Sequence, residues 1–138
     1  MKNRVSVRVY GSQEIDGEKD SQQTRVMGEY YVKDGRRYVL YGEMMEDGGK
    51  VRTLVKETRN GIIVVKNGYV SVRMNFCEGL TDNSIYITPM GKVNLGTTTK
   101  YINKTEKENG FIWEFGYSIY MDGQYVGENV LGLEVELG

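Results

Sequence analysis

A chain of 138 residues with a formal net charge of −1 has the length of one domain, here predicted over 1–138. It contains no alanine, yet 16 valines, 8 isoleucines, 9 threonines and 11 tyrosines. Alanine favours helices, whereas β-branched and aromatic residues fit pleated sheets, so a helix bundle and an α/β nucleotide-binding fold are excluded. The absence of histidine excludes a Ser-His-Asp triad, a Cys-His dyad and a His-ligated metal site.

Valines 5, 7 and 9 alternate with Arg4, Ser6 and Arg8, the period of a half-buried strand. Residues 11–23 are polar and glycine-punctuated and read as a long loop. Strands are predicted over 24–33 and 36–46 around Asp34-Gly35, since both positions of a two-residue hairpin turn need positive φ. Asp47-Gly48-Gly49 predicts a three-residue turn into a strand at 50–58. Asn60-Gly61 leads to 62–66, and Asn67-Gly68 to 69–77. A short strand at 84–88 ends at Pro89, which cannot donate to a ladder. Strands over 92–102 and 111–121 follow, then Asp122-Gly123 and a last strand at 124–137. The mixed charges of Lys100–Glu108 read as a solvated turn. Sequential hairpins of this kind predict an all-β fold: an antiparallel up-and-down β-barrel of about eight to ten strands.

Turn register then assigns faces, because side chains alternate. Around Asp34-Gly35, Val26, Gly28, Tyr30, Val32, Val39, Tyr41, Glu43 and Met45 share the more apolar, inward face. The turn at Asp47 sets Met45 opposite Val51, Glu43 opposite Thr53 and Tyr41 opposite Val55. Around Asn67-Gly68 the same arithmetic turns Ile63, Val65, Val70, Val72, Met74 and Phe76 one way. Val93, Leu95, Thr97, Thr99 and Tyr101 point inward from 92–102. Phe111, Trp113, Phe115, Tyr117 and Ile119 align with Val126 and Val130, after which the pattern flips to Leu131, Leu133, Val135 and Leu137. A bulge near Gly127 or Gly132 accounts for the flip.

An apolar interior carrying phenols, threonines and a carboxylate fits a ligand-binding barrel, and equally a small filled one whose hydroxyls satisfy one another. In the ligand reading Tyr30, Tyr41, Trp113 and Tyr117 supply walls. Glu43, Thr53, Thr97 and Thr99 supply polar contacts. A carboxylate turned inward must be paired, hydrogen-bonded or protonated in part, which makes Glu43 with Thr53 the most informative pair. No second acid or nucleophile sits at a catalytic spacing, so no catalytic set is assigned. Tyr31, Lys33, Arg36, Arg37 and Tyr38 form an outward strip that suits single-stranded nucleic acid, or, with Leu40 and Met44, a homodimer. A pI near 5.6 argues against nucleic acid. Glycines 91, 96, 110 and 116 precede no helix and so make no phosphate cradle. No calcium-loop spacing occurs. Cys77 packs as a small hydrophobe; alone, it forms no internal disulfide and suits a reducing cytoplasm. Met1-Lys2-Asn3-Arg4 leads into alternation rather than an apolar run, which predicts no signal peptide, and no membrane span is predicted.

Gly28-Glu29-Tyr30-Tyr31 is followed by Lys33, Tyr38, Tyr41 and Glu43, then by Val51-Arg52-Thr53 with Lys56, Phe76 and Gly79. Tyr86, Thr88-Pro89-Met90-Gly91, Thr97-Thr98-Thr99 and Tyr117 complete the pattern. In this order and spacing, over roughly residues 4–137, the chain resembles the YwiB-like family of small bacterial proteins. The resemblance implies a calycin-like, lipocalin-type barrel in the bacterial cytoplasm and brings no catalytic residues or cofactor. The chain departs from the pattern in the 11–23 segment and the final strand. The expectation is thus a non-enzymatic barrel that takes a small apolar ligand inside, or else an interaction module using an outer face.

Overall fold

The computed structural model describes residues 3–138; Met1 and Lys2, where the expected leaderless start begins, lie outside it. Ten antiparallel strands follow one another: β1 (Asn3–Ile15), β2 (Glu18–Lys33), β3 (Arg36–Met44), β4 (Lys50–Glu57), β5 (Gly61–Gly68), β6 (Val72–Cys77), β7 (Thr81–Thr88), β8 (Gly91–Lys107), β9 (Gly110–Met121) and β10 (Gln124–Glu136). They form one sheet in the order β6-β5-β4-β3-β2-β1-β10-β9-β8-β7. Every strand therefore pairs with a sequence neighbour, except that β1 meets β10. The sheet curls into a nearly closed up-and-down barrel. Its seam lies between β6 and β7, joined by the bridge Ser71↔Ile87 and by the Asp82 carboxylate accepting from the Asn75 N–H.

Three Asp-Gly pairs set three two-residue turns. Asp16, Asp34 and Asp122 have φ of 53°, 52° and 49°, and the glycines after them 81°, 75° and 82°. Positive φ at both central positions matches the twist of a hairpin. The first of these turns overturns the predicted loop at 11–23. That segment is the distal half of a long hairpin, paired from Asn3↔Tyr30 to Ile15↔Glu18. Its polar composition reflects exposure, not irregular backbone: residues 18–25 of β2 are all exposed.

Other registers depart from expectation where the turn is longer than its Gly signal suggested. Tyr41 lies opposite Thr53 and Glu43 opposite Val51, because residues 45–49 form a five-residue connection; the expected pairing is off by two positions, which keeps the faces. The error at Asn67-Gly68 is odd-numbered and flips a face. Both residues belong to β5, Gly68 opposite Val51, and Ile62 and Val64 face inward in place of Ile63 and Val65. β6 begins at Val72 rather than 69, and β7 at Thr81 rather than 84. β8 runs to Lys107, so the polar stretch read as a turn is strand up to a two-residue connection at 108–109. A bulge between Thr99 and Tyr101 turns Tyr101 outward and Ile102 toward the core. The bulge expected near Gly127 lies between Tyr125 and Gly127, so the flip comes earlier than read: Val130, opposite Gly116, faces outward rather than in line with Phe115.

The core fills most of the interior. Phe111 with Trp113, and Phe76 with Phe115 and Tyr117, form two groups of tilted and stacked rings with centroids 4.6–6.0 Å apart. Val5, Val7, Val39, Val55, Ile62, Val64, Leu133 and Val135 pack around them, fully buried. Arg37 closes one end. It was expected on the outer strip, but it shares the inward parity of Val39 and lays its guanidinium 4.3 Å from the Phe111 ring centroid. There it donates to Glu57 and Glu106. Val32, also on the inward face, lies beyond that end and is exposed.

Candidate functional site

The opposite end of the barrel is open. β2 and β3 pair over only five residues each, from Lys33↔Arg36 to Glu29↔Leu40. Beyond that they part at Gly28, where a side chain would stand 2.5 Å from the Leu40 carbonyl oxygen. A cleft of about 680 Å³ opens between the free edge of β2 and β3. Its walls include Val9, Val26, Val51 and Leu131, with Tyr41 and Glu43 on the β3 side and Gln22, Gln23 and Thr24 on the β2 side. Its size is that of small-molecule sites.

Strand register builds a polar row along the inner wall. Tyr41 on β3 lies opposite Thr53 on β4, and Thr53 opposite Lys66 on β5. Glu43, one inward position nearer the rim, reaches back along this row. Its Oε1 accepts from the Thr53 hydroxyl and from the Lys66 ammonium, each at 2.5 Å. Lys66 is also 3.5 Å from Thr53 Oγ1. The sequence supplied Glu43 and Thr53 but missed Lys66, which the supposed turn at Asn67-Gly68 had placed at a hairpin shoulder. Counting inward parity along β5 from Ile62 and Val64 recovers it.

Tyr41 is buried and its hydroxyl has no hydrogen-bond partner among the described residues. Burial, then the nearby Glu43 charge and Tyr117, raise its pKa well above the ordinary phenol value, so the group stays protonated and able to donate. Tyr117 is buried and raised for the same first reason, with a hydrogen bond to Asn129 acting the other way. It adjoins a smaller hollow of about 340 Å³ lined also by Asn129 and Leu131. Thr97 is buried and its hydroxyl has no partner among the described residues, whereas Thr99 Oγ1 accepts the Cys77 N–H at 3.2 Å.

The eight residues expected to bind ligand are therefore divided. Tyr41, Glu43 and Thr53 gather at the cleft. Thr97, Thr99 and Tyr117 lie in the wall beyond it. Tyr30 and Trp113 sit at the other, Arg37-capped end: Tyr30 packs on Phe111 at 5.8 Å, and Trp113 is fully buried beneath the guanidinium. The outer strip is also altered, since Arg37 has left it and Tyr31 and Tyr38 stack on each other at 4.6 Å. Among the described residues no group of three or more acidic or cysteine side chains is placed to hold a metal ion, and no helix is long and apolar enough to cross a membrane.

Comparison with known proteins agrees with this architecture. The chain is 32% identical over 109 residues to the uncharacterised β-barrel protein YwiB of Bacillus subtilis (strain 168), covering 78% of this chain and 76% of that protein. The crystal structure of the B. subtilis ywiB protein superposes with a TM-score of 0.83 at 26% identity, over 96% of this chain and 92% of that one. The family described as domain of unknown function DUF1934 matches residues 7–133, from β1 into β10. The chain belongs to the DUF1934 family and is a homologue of the β-barrel protein YwiB.

Proposed function

We propose that the protein is a non-enzymatic, calycin-like binding barrel that takes one small, mostly apolar ligand in the cleft between β2 and β3. The observation that carries this is an apolar cleft of about 680 Å³ with a buried, unpartnered phenol at its wall. Buried polar groups are normally partnered, so an unpartnered donor set behind the apolar wall favours a ligand with an apolar body and one hydrogen-bond acceptor. Glu43 and Lys66, already bonded to each other, hold the polar row in place. Cys77 as the lone cysteine suits a reducing cytoplasm. An outer-face interaction module has less support, because Tyr31 and Tyr38 are engaged with each other and Arg37 caps the core.

Titration with the neutral apolar fluorophore N-phenyl-1-naphthylamine tests the reading. One saturable site is expected, abolished by filling the cleft with Leu131→Trp. Absence of saturable binding to the native protein, or binding unaffected by Leu131→Trp in a folded variant, overturns it.

A further inference from the structure

The parted strands at the cleft are each half of a ladder that has not formed. β2 keeps its extended pairing with β1 through Glu18, and β3 keeps its pairing with β4 through Met44. Each therefore presents a ready row of backbone donors and acceptors on the side facing the other. Continuing the existing β2–β3 register past Glu29↔Leu40 sets Gly28 opposite Tyr41, Met27 opposite Gly42, Val26 opposite Glu43 and Arg25 opposite Met44.

These four pairs agree in facing. Val26 and Glu43 both turn to the cleft interior. Met27 and Gly42 both turn outward. Met27 is 56% exposed, and the space a Gly42 side chain would take is empty. In the closed ladder the Met27 side chain has that space to cover. Elsewhere on this barrel cross-strand glycines are already covered in this way: the Tyr10 ring lies against Gly132 and the Tyr101 ring against Gly116. Gly28 supplies the pivot, since its bare Cα lets β2 pass against the Leu40 carbonyl. A hollow of about 490 Å³ on the outer side, lined by Met27, Gly28, Leu40 and Gly42, leaves room for the movement.

We infer that β2 and β3 form a zipper over the cleft: the strands part at Gly28 to admit ligand and pair through Arg25↔Met44 to close behind it. The inference rests on the binding reading for its purpose and for the uptake arm of its test, but not for the disulfide and hydrogen-exchange arms. The open and closed forms differ by a few edge hydrogen bonds and the burial of Val26 and Met27. Such a difference is small enough for a ligand to shift the balance.

The experiment introduces Arg25→Cys and Met44→Cys together in a Cys77→Ser background. Opposed residues of an antiparallel ladder lie about 4.5–5.5 Å apart at Cα, within disulfide reach. Mild oxidation is expected to join the pair, read by mass and loss of thiol labelling. A control pair set off by two positions, Gln23→Cys with Met44→Cys, is expected to join at least tenfold more slowly. The oxidised in-register protein should take up N-phenyl-1-naphthylamine at least tenfold more slowly, and reduction should restore uptake in the same sample. Failure of the in-register pair to join, equal joining of the control, or, where the reduced protein takes up probe, equal uptake in the locked form overturns the zipper. If the disulfide forms in register but even the reduced protein takes up no probe, the zipper stands and the binding reading falls. Should the double variant not fold, amide hydrogen exchange on the native protein decides. Free-edge amides at 25–28 and 41–44 should exchange more slowly than those at 18–24, and equal rates overturn the zipper.

Discussion

Glu43 and Lys66 lie on strands separated by β4, and their side chains meet 2.5 Å apart over Thr53. This three-strand clasp fixes the inner wall of the cleft at the height of Tyr41. Glu43→Gln should leave the barrel folded, because the amide oxygen still accepts from Thr53. It should cost the charge-assisted bond to Lys66, worth roughly 1.5–3 kcal/mol of stability, and weaken binding of a polar-headed apolar probe through the loosened wall around Tyr41. A double-mutant cycle with Lys66→Met, read by urea unfolding, should give a coupling on the order of 0.5–3 kcal/mol. Strict additivity of the two single changes would remove the clasp from the account.

At the closed end, the Arg37 guanidinium covers Phe111 and Trp113 and answers two carboxylates. Arg37→Met should uncover Trp113, the only tryptophan, and take from Glu57 and Glu106 their shared guanidinium partner at the barrel's end. A red-shifted tryptophan emission and a loss of about 2 kcal/mol are expected, from the cation–π contact and the charged hydrogen bonds together. Probe uptake at the other end should be unchanged. Loss of uptake in the folded variant would mean that the two ends communicate.

On the outer wall, Tyr10 and Tyr101 both donate to Glu114, each at 2.9 Å. Burial first, then the bond to the Glu114 carboxylate, push both phenols up to about 12. A folded pKa above the unfolded value of about 10 means stability that is complete below pH 10. That stability is lost as pH rises through the folded value. Phenolate absorbance at 295 nm should therefore show a late-titrating class, and unfolding free energy should fall between about pH 10 and 12. Glu114→Gln should lower two members of that class, Tyr10 and Tyr101, and leave in it the phenols raised by burial or by another carboxylate, such as Tyr41 and Tyr125. A single titration step near 10 in the native protein would contradict the assignment.

How much of this was legible in the sequence follows from turn geometry. Asp34-Gly35 and Asp122-Gly123 are two-residue turns, and the faces of β2, β3 and β9 read from them hold in the structure. Glu43 and Thr53 came from the same arithmetic. Asp16-Gly17 carries the same signal but sits among residues exposed on both faces, so no hydrophobic alternation marked its strands. At Asn67-Gly68 the dipeptide is built into β5, Gly68 with φ 125°, and the chain turns later. A glycine allows a turn without enforcing one. Arg37 was misplaced for a different reason: charge suggested solvent, whereas parity pointed inward, and its fork found two carboxylates and two ring faces at the barrel's end.

The β5 register offers the sharpest test, because two adjacent isoleucines exchange roles under the two readings. With Asn67-Gly68 as a two-residue turn, Ile63 belongs to the core and Ile62 to the surface. With β5 running through Gly68, Ile62 pairs with Phe76, is fully buried and belongs to the aromatic core, while Ile63 faces outward opposite Asn75. Removing a fully buried isoleucine loses transfer energy and leaves a cavity, for about 2–5 kcal/mol. Removing an outward one loses little, about 1 kcal/mol or less. Ile62→Ala should accordingly unfold at markedly lower urea concentration than Ile63→Ala, with similar slopes. Val64→Ala against Val65→Ala should repeat the contrast, since Val64 is also fully buried. If Ile63→Ala were the more damaging of the first pair, β5 would be in the register that turns Lys66 away from Glu43, and the cleft wall would have to be redrawn.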